Sequence, residues 1–501
     1  MVLGHLCIGL TMSDAPSTTP EKFASFTDAI LFHASKSPHS PAIGLESGVL
    51  TYGQLADAIH AATASCEKAG LRPGSVAGLI IADPVWHICL IAALYRLGIA
   101  SVSLSADEIA VFAGGDMAAV LHDGSQPPKF AGNAILVEPS WFTQRAVAMR
   151  SGESAFQQHD LCRIALSSGT TGQPKPIAMS PQIVWHRLVT YSFRGRFAAS
   201  ERIYCGPQLR SHFGFAIAFS ALIYGKMVCF SNTAETAIPV MSYFKADLAI
   251  LSVFQLNGLV DVLSKNYGAL SGLREIQAGG ALISDVLLQR ARAGVSAEIV
   301  STYASTEAGT VAFAPVEQLG EARGEGAVGF VVPWASVEIY DEDNKRVPAG
   351  RDGNICVNTL GVAPAYVPGM RVVASPGPFF PGDYGRLLNN GMLVVAGRST
   401  EVINIGGNKI SPDRFENVLM QCDGVKDAAV FTVDIKSALP QVWAAVVADS
   451  TLNVAEVMKR CFATPLIGTP SVIKVVAKIP RNSAGKILRD ELRKDLAKTV
   501  E

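Results

Sequence analysis

Apolar and polar positions follow two periods along this chain, and the switches between them mark its elements. In VAGLIIADPVWHICLIAALYRLGIA, Val76 to Ala100, a short apolar run gives way to helical spacing. Asp83, Pro84, His87 and Arg96 interrupt it well short of the ~20 apolar residues that a membrane span needs. It reads as a strand followed by a helix: Asp83 caps the free N–H groups, Pro84 suits the first helical position, and Gly98 ends the helix in a left-handed conformation. The alternation returns where ADLAILSV precedes QLNGLVDVLSKN and where LREIQAGGA precedes SDVLLQRARAG. Recurrent strand-then-helix units predict a layered α/β core.

From Ser336 the pattern changes. SVEIYDEDNKRVPAGRDGNICVNTL gives two strands around a polar turn and predicts a β-rich subdomain. After Arg398, strand-like DAAVFTVD, QVWAAVVAD and SVIKVVAKI alternate with helical stretches, which predicts a separate α+β unit. The expected fold is α/β: a large multi-subdomain N-terminal α/β domain, residues 1–398, with a β-rich subdomain, and a small C-terminal α+β domain, residues 399–501. No internal repeat, heptad array or long low-complexity tract is visible.

Composition narrows the function. A chain of 501 residues with 49% apolar residues can bury more than one core. Charged residues make up 17% and the net charge is -1, so no broad field draws in nucleic acid or anionic membrane. A small-molecule enzyme fits. Cysteines occur singly, with no C-x-x-C pair and no His/Cys cluster at metal-ligand spacing, which predicts a reduced, cytoplasmic protein. The leader MVLGHLCIGLTMSD has no Lys or Arg ahead of a short apolar run; no signal peptide is expected, and Met12 is an alternative start.

The candidate chemistry begins at LSSGTTGQPKP, Leu166 to Pro176. Glycines let backbone N–H groups face an anion at close range, hydroxyls add donors, and a lysine supplies charge. Ser167, Ser168, Gly169, Thr170, Thr171, Gly172 and Lys175 meet that need. A Walker-type loop would run from Gly-Lys-Ser/Thr straight into a helix. Here Lys175 is followed by Pro176 and apolar IAMS, with the helix start at Ser180-Pro181, so the loop is expected to join strand to strand.

SSGTTGQPK resembles the phosphate-binding signature of the adenylate-forming superfamily, which holds acyl- and aryl-CoA synthetases, peptide-synthetase adenylation domains and beetle luciferases. QAGGAL (Gln277 to Leu282), TYASTEAG (Thr302 to Gly309), FFPGDYGRL (Phe379 to Leu387), VAGRSTEVINIGGNKISP (Val395 to Pro412) and IPRNSAGKILRDEL (Ile479 to Leu492) resemble its successive elements, in its order. The resemblance covers essentially the whole chain. It implies an AMP-forming acyl- or aryl-CoA ligase that converts a carboxylic acid and ATP, with Mg2+, to an acyl-adenylate and pyrophosphate, then passes the acyl group to CoA. A separate acyl carrier protein is the alternative thiol, and a non-catalytic ligand-binding relative is the third reading. No nucleic acid and no membrane span are expected.

The same resemblance implies roles. Lys175 and the hydroxyls around it hold the β- and γ-phosphates, and Glu307 coordinates Mg2+ while Thr306 donates to the α-phosphate. Tyr303 stacks on adenine, with the backbone of Gly279, Gly280 and Ala281 on the other side. Asp383 accepts from the ribose hydroxyls, Arg398 reaches ribose or phosphate, and Lys486 bridges the attacking carboxylate and the α-phosphate. The C-terminal domain becomes a mobile lid turning about Thr400, with Gly406 and Gly407 lining a thiol tunnel. His212, Phe213 and Gly214, with Gly280 and Ala304, line the acyl pocket; the His-Phe pair points to an aryl or medium-length acyl group. The sequence departs from the family pattern at Thr400, where Asp or Lys is usual, at Ala304 and Pro176, where glycine is usual, and at Pro381 and Asn482, where threonine is usual. The stretch from Ser105 to Leu161 also looks short for the family's strand-helix-strand elements.

Overall fold

The computed structural model describes residues 25–497 apart from 113–115, 144–155, 168–173, 267–269, 271, 360, 369, 371, 373–377, 400, 402, 406–407, 434–440, 465–469, 482–484 and 486. The Val76–Ala100 reading holds: a strand, Val76–Ile80, leads to a helix, Pro84–Arg96. The Asp83 side chain accepts from the Trp86 N–H at 2.9 Å, and Gly98 takes a positive φ of 67°. Every residue from His87 to Arg96 is buried, which explains why this segment reads as apolar on all sides. Among the described residues no helix is long and apolar enough to cross a membrane.

Two sheets flank the main core. The smaller runs in the order Ala134–Leu136, Ala119–His122, Val76–Ile80, Ala100–Ser103, Arg163–Ser167, Lys175–Met179, with only the last pair antiparallel. The larger, of 13 strands, holds a parallel run: Pro41–Leu45, Met227–Cys229, Arg202–Cys205, Leu248–Ser252, Glu275–Gly279 and Glu298–Ser305. The helix His212–Ile223 is buried without a break from Gly214 onward, and its residues share one core with residues of both sheets. Phe215 and Phe219 pack at 4.7 Å between centroids, and Phe26 meets Phe219 at 5.0 Å. A helix apolar all round has to be enclosed in this way.

The β-rich segment forms its predicted pair, Ala335–Tyr340 against Gly353–Thr359, but the pair is not set apart. Gly309–Pro315 turns back antiparallel on Glu298–Ser305, and Ala327–Val331, Met392–Arg398 and Asp383–Leu387 follow, so the β-rich strands extend the large sheet. The free edge of the last parallel strand is completed by backbone pairing rather than covered by a loop. Between Ser105 and Leu161 the described residues form only two short strands and 3-10 turns.

From Pro412 on, Val425–Val433, Gln441–Ala448 and Val472–Val475 make a separate three-stranded sheet with the helices Pro412–Met420, Val454–Ala463 and Arg489–Ala497. Its cores are its own. Each described cysteine, from Cys66 to Cys461, is free and buried.

Asp83→Ala removes the cap from a buried helix and is expected to cost about 1 kcal/mol, read as an earlier thermal transition by circular dichroism. An unchanged transition would show that the cap contributes nothing.

Candidate active site

The phosphate-loop candidate sits on a hairpin. Arg163–Ser167 and Lys175–Met179 pair antiparallel with Ser167 opposite Lys175, so the loop joins strand to strand as its context requires. Ser167 is buried at its root, and Lys175 is exposed. Pro176 has no N–H to give; its carbonyl accepts from the Tyr366 N–H at 2.9 Å. The helix Pro181–Val189 follows, capped by Ser180, whose side chain accepts from the Ile183 N–H at 3.4 Å. Ser168, Gly169, Thr170, Thr171, Gly172, Thr400, Gly406, Gly407 and Lys486 lie outside the described residues.

The nucleotide-side candidates converge on the C-terminal ends of two adjacent parallel strands, Glu275–Gly279 and Glu298–Ser305, where a parallel sheet offers its ligand crevice. Gly279 stands opposite Thr302, and a Cβ on it would lie 3.0 Å from the Thr302 carbonyl oxygen. Gly280 follows with φ of 91°, a backbone region that favours glycine. Gly280, Ala281 and Ala304 are exposed, and Tyr303, Thr306 and Glu307 are half-buried.

The Tyr303 hydroxyl donates to the Asp383 carboxylate, and the Arg398 Nε lies 3.2 Å from the same carboxylate. Arg398 also donates to the Pro381 carbonyl. Asp383 and Arg398 face each other on neighbouring antiparallel strands, which is how residues distant in sequence reach Tyr303. Burial and the Asp383 charge hold the Tyr303 phenol well above its ordinary value, so it remains a donor. Asp383 is 8% exposed, and an ionised carboxylate has acceptor capacity beyond these two partners.

The sequence reading missed Arg187. It lies on the helix after the hairpin and is 6% exposed. Its Nη1 donates to the Thr306 carbonyl at 2.7 Å and to His212 Nε2 at 3.0 Å, and its Nη2 donates to the Glu307 carbonyl at 2.5 Å. Burial pushes this guanidinium down to about 10, which leaves it protonated at neutral pH. A second buried arginine, Arg163, donates to the hydroxyls of Ser101 and Ser103, both at 3.1 Å, and lies 4.1 Å over the Phe215 ring. Burial and these two cations hold His212 well below the ordinary histidine range, so it is neutral. The only advance signal for either arginine was a charge inside an apolar run, in VWHRLV and CRIALS.

Two other acyl-pocket candidates, Phe213 and Gly214, share the His212 helix start. Ser211 caps it by accepting from the Gly214 N–H at 3.0 Å, the His212 ring stacks on Phe215 with centroids 6.1 Å apart, and Phe213 packs against the main core. Gly214 has a packing reason: a Cβ there would fall 2.2 Å from the Gln208 carbonyl oxygen. Among the described residues no group of three or more His, Cys, Asp or Glu side chains is set to hold a metal. The single half-buried carboxylate of Glu307 suits a hard cation such as Mg2+, which takes few protein oxygens and completes its shell with phosphate and water.

The chain matches one family model, described as AMP-binding enzyme, over residues 32–367. It is similar to the 2-succinylbenzoate–CoA ligase of Listeria monocytogenes, 25% identical over 479 residues that cover 91% of this chain and 97% of that one. It is similar as well to bacitracin synthase 1 of Bacillus licheniformis, 23% identical over 519 residues, where it covers 95% of its own length and 9% of that protein. Among solved structures, the o-succinylbenzoate CoA synthetase of Bacillus subtilis in complex with its acyl-adenylate intermediate has a TM-score of 0.81 at 21% identity, covering 93% of this chain and 98% of that one. That likeness shows the fold.

Gly214→Ala is expected to destabilise by ~1–3 kcal/mol, because the new methyl meets backbone rather than a movable side chain. Differential scanning calorimetry checks this, and an unshifted transition would remove the packing reason for glycine at this position.

Proposed function

Because the chain belongs to the family of AMP-binding enzymes, we propose that it is an AMP-forming acid–thiol ligase. It activates a carboxylic acid with ATP and Mg2+ to an acyl-adenylate, then transfers the acyl group to CoA. The observation that carries this reading is the meeting of Tyr303, Asp383 and Arg398 beside the Thr306–Glu307 turn, at the C-terminal end of parallel strands. An aromatic ring, a buried carboxylate and a guanidinium there match the needs of adenine, ribose and phosphate.

In the first half-reaction a carboxylate oxygen attacks the α-phosphorus, and the bond to the bridging oxygen of pyrophosphate breaks with its electron pair leaving on pyrophosphate. Both reactants are anions, so the chain has to neutralise and align them. Lys175 and the loop of Ser167, Ser168, Gly169, Thr170, Thr171 and Gly172 hold the β- and γ-phosphates. Thr306 donates to the α-phosphate, and Lys486 bridges it to the attacking carboxylate. Mg2+ on Glu307 neutralises phosphate charge when bound. The ring of Tyr303 rests on adenine against the backbone of Gly279, Gly280 and Ala281. In the second half-reaction the thiol sulfur attacks the acyl carbon and AMP departs.

We take residues 1–398 as the adenylation core and 399–501 as a lid that turns about Thr400, delivering Lys486 for adenylation and the Gly406–Gly407 face for the thiol. His212, Phe213, Gly214 and Ala304 bound the acyl pocket, which suits an aryl or medium-length acid. The neutral state of His212 favours uncharged contact with such a group. Likeness to bacitracin synthase 1 supports a carrier-protein thiol as the alternative acceptor. We assign the enzyme to the cytoplasm.

Purified protein with ATP, Mg2+ and pools of aryl, short-chain and medium-chain acids should release pyrophosphate with one pool and turn over faster with CoA. Lys486→Ala should slow that release on the order of 100- to 1000-fold, and Asp383→Ala should weaken AMP binding, measured by calorimetry, by roughly tenfold or more. AMP binding without release from any acid would sink the ligase reading. Release indifferent to CoA would move the acceptor to a carrier protein.

A further inference from the structure

We propose that Arg187 is a positioning residue: one buried guanidinium fixes both the Thr306–Glu307 turn and the tautomer of His212, and so ties the acyl side of the site to the nucleotide side. The consequence for catalysis rests on the ligase reading; the hydrogen-bond geometry does not.

Strand pairing ends at Ser305 and resumes at Gly309, so the carbonyls of Thr306 and Glu307 have no ladder partner. A buried carbonyl without a donor is costly. The planar fork of Arg187 presents parallel donors, Nη1 to Thr306 at 2.7 Å and Nη2 to Glu307 at 2.5 Å, which a lysine ammonium cannot reproduce in one plane. Ala363 N–H completes the Glu307 carbonyl at 2.8 Å. Gly309, where pairing resumes, lies against the Arg187 side chain and holds φ of 72°, a backbone region that favours glycine.

The same Nη1 reaches His212 Nε2 at 3.0 Å. A guanidinium only donates, so Nε2 accepts, and the proton of the neutral ring is forced onto Nδ1. Among the described residues that Nδ1 is buried and has no hydrogen-bond partner. Among the described residues, then, the tautomer of the ring is selected by Arg187 and not by a partner at Nδ1. A ligand that displaces the Thr306–Glu307 turn must displace Arg187, and His212 with it. Acid and nucleotide binding are linked, reciprocally, through this one cation.

The test is 15N NMR of the full chain labelled at histidine, with the His212 signals assigned by their loss in His212→Asn. In the wild type, His212 should show the Nδ1–H tautomer and stay neutral through ~6.5, the ordinary histidine value. In Arg187→Met the ring should revert to the ordinarily preferred Nε2–H form, and ATP–Mg2+ affinity, measured by calorimetry, should fall about tenfold or more; Arg187→Lys should restore the affinity only in part. An Nε2–H tautomer or a titration near 6.5 in the wild type overturns the proposal. So does an unchanged tautomer in a folded Arg187→Met; if that variant does not fold, the wild-type spectrum decides alone. The ligase reading fails separately, on absence of acid-dependent pyrophosphate release from wild-type protein whose His212 tautomer is as expected.

Discussion

Arg187 sits where its charge is largely cut off from water, and its Nη donors go to neutral acceptors that include the Thr306–Glu307 turn, the start of the His212 helix, the Gly361 carbonyl at 3.5 Å and the Met179 sulfur at 3.7 Å. Desolvating a cation is expensive, and a hydrogen bond made by a charged group is typically worth ~1.5–3 kcal/mol. Those segments are therefore not free to move independently. The turn that bears Glu307 and the helix that begins at His212 keep their relative placement because one planar group satisfies both.

That local constraint works only because the sheet delivers the remaining side chains. The parallel run ends at Glu298–Ser305, and the chain then extends the sheet antiparallel instead of crossing over it. This return path brings Asp383 and Arg398, opposite one another in register, to the Tyr303 hydroxyl. A parallel sheet alone would have its crevice but no second wall of charged residues. The aromatic, acidic and basic groups thus meet through strand order rather than through proximity in sequence.

The C-terminal unit has its own organising cation. Arg489 makes ion pairs with Glu401 and Asp413, both at 3.0 Å, and with Glu416 at 2.7 Å, and its Nε donates to the Val430 carbonyl at 3.1 Å. Burial pushes the Glu416 carboxyl up to about 7 against the pull of that arginine. Arg489 follows Lys486 in sequence and Glu401 follows Thr400. Glu401 and Arg489 are thereby fastened to one helix-and-sheet body. Asn417 of this unit accepts from the Asp285 N–H at 3.2 Å, a polar contact with the larger core.

Local chemistry was legible in the sequence wherever it obeyed short-range rules. The Asp83 cap, the Gly98 stop, the Ser180-Pro181 helix start, the strand-to-strand context of the Leu166–Pro176 stretch and the three strands of the C-terminal unit all depend on residues within a few positions of one another. The motif order likewise carried Tyr303, Asp383 and Arg398, which the fold brings together. Arg187 and Arg163 were not legible, because a charge in an apolar run looks the same whether it is solvated or enclosed. The joining of the β-rich strands to the large sheet was hidden for a related reason, since strand pairing partners lie far apart in the chain. Sequence determined which elements form and which residue types carry the chemistry, since caps, turns and hydrophobic periods act over one or two turns of chain. Tertiary structure alone decided which cation is buried against which carbonyls, because desolvation depends on everything that closes over a side chain and not on its neighbours in sequence.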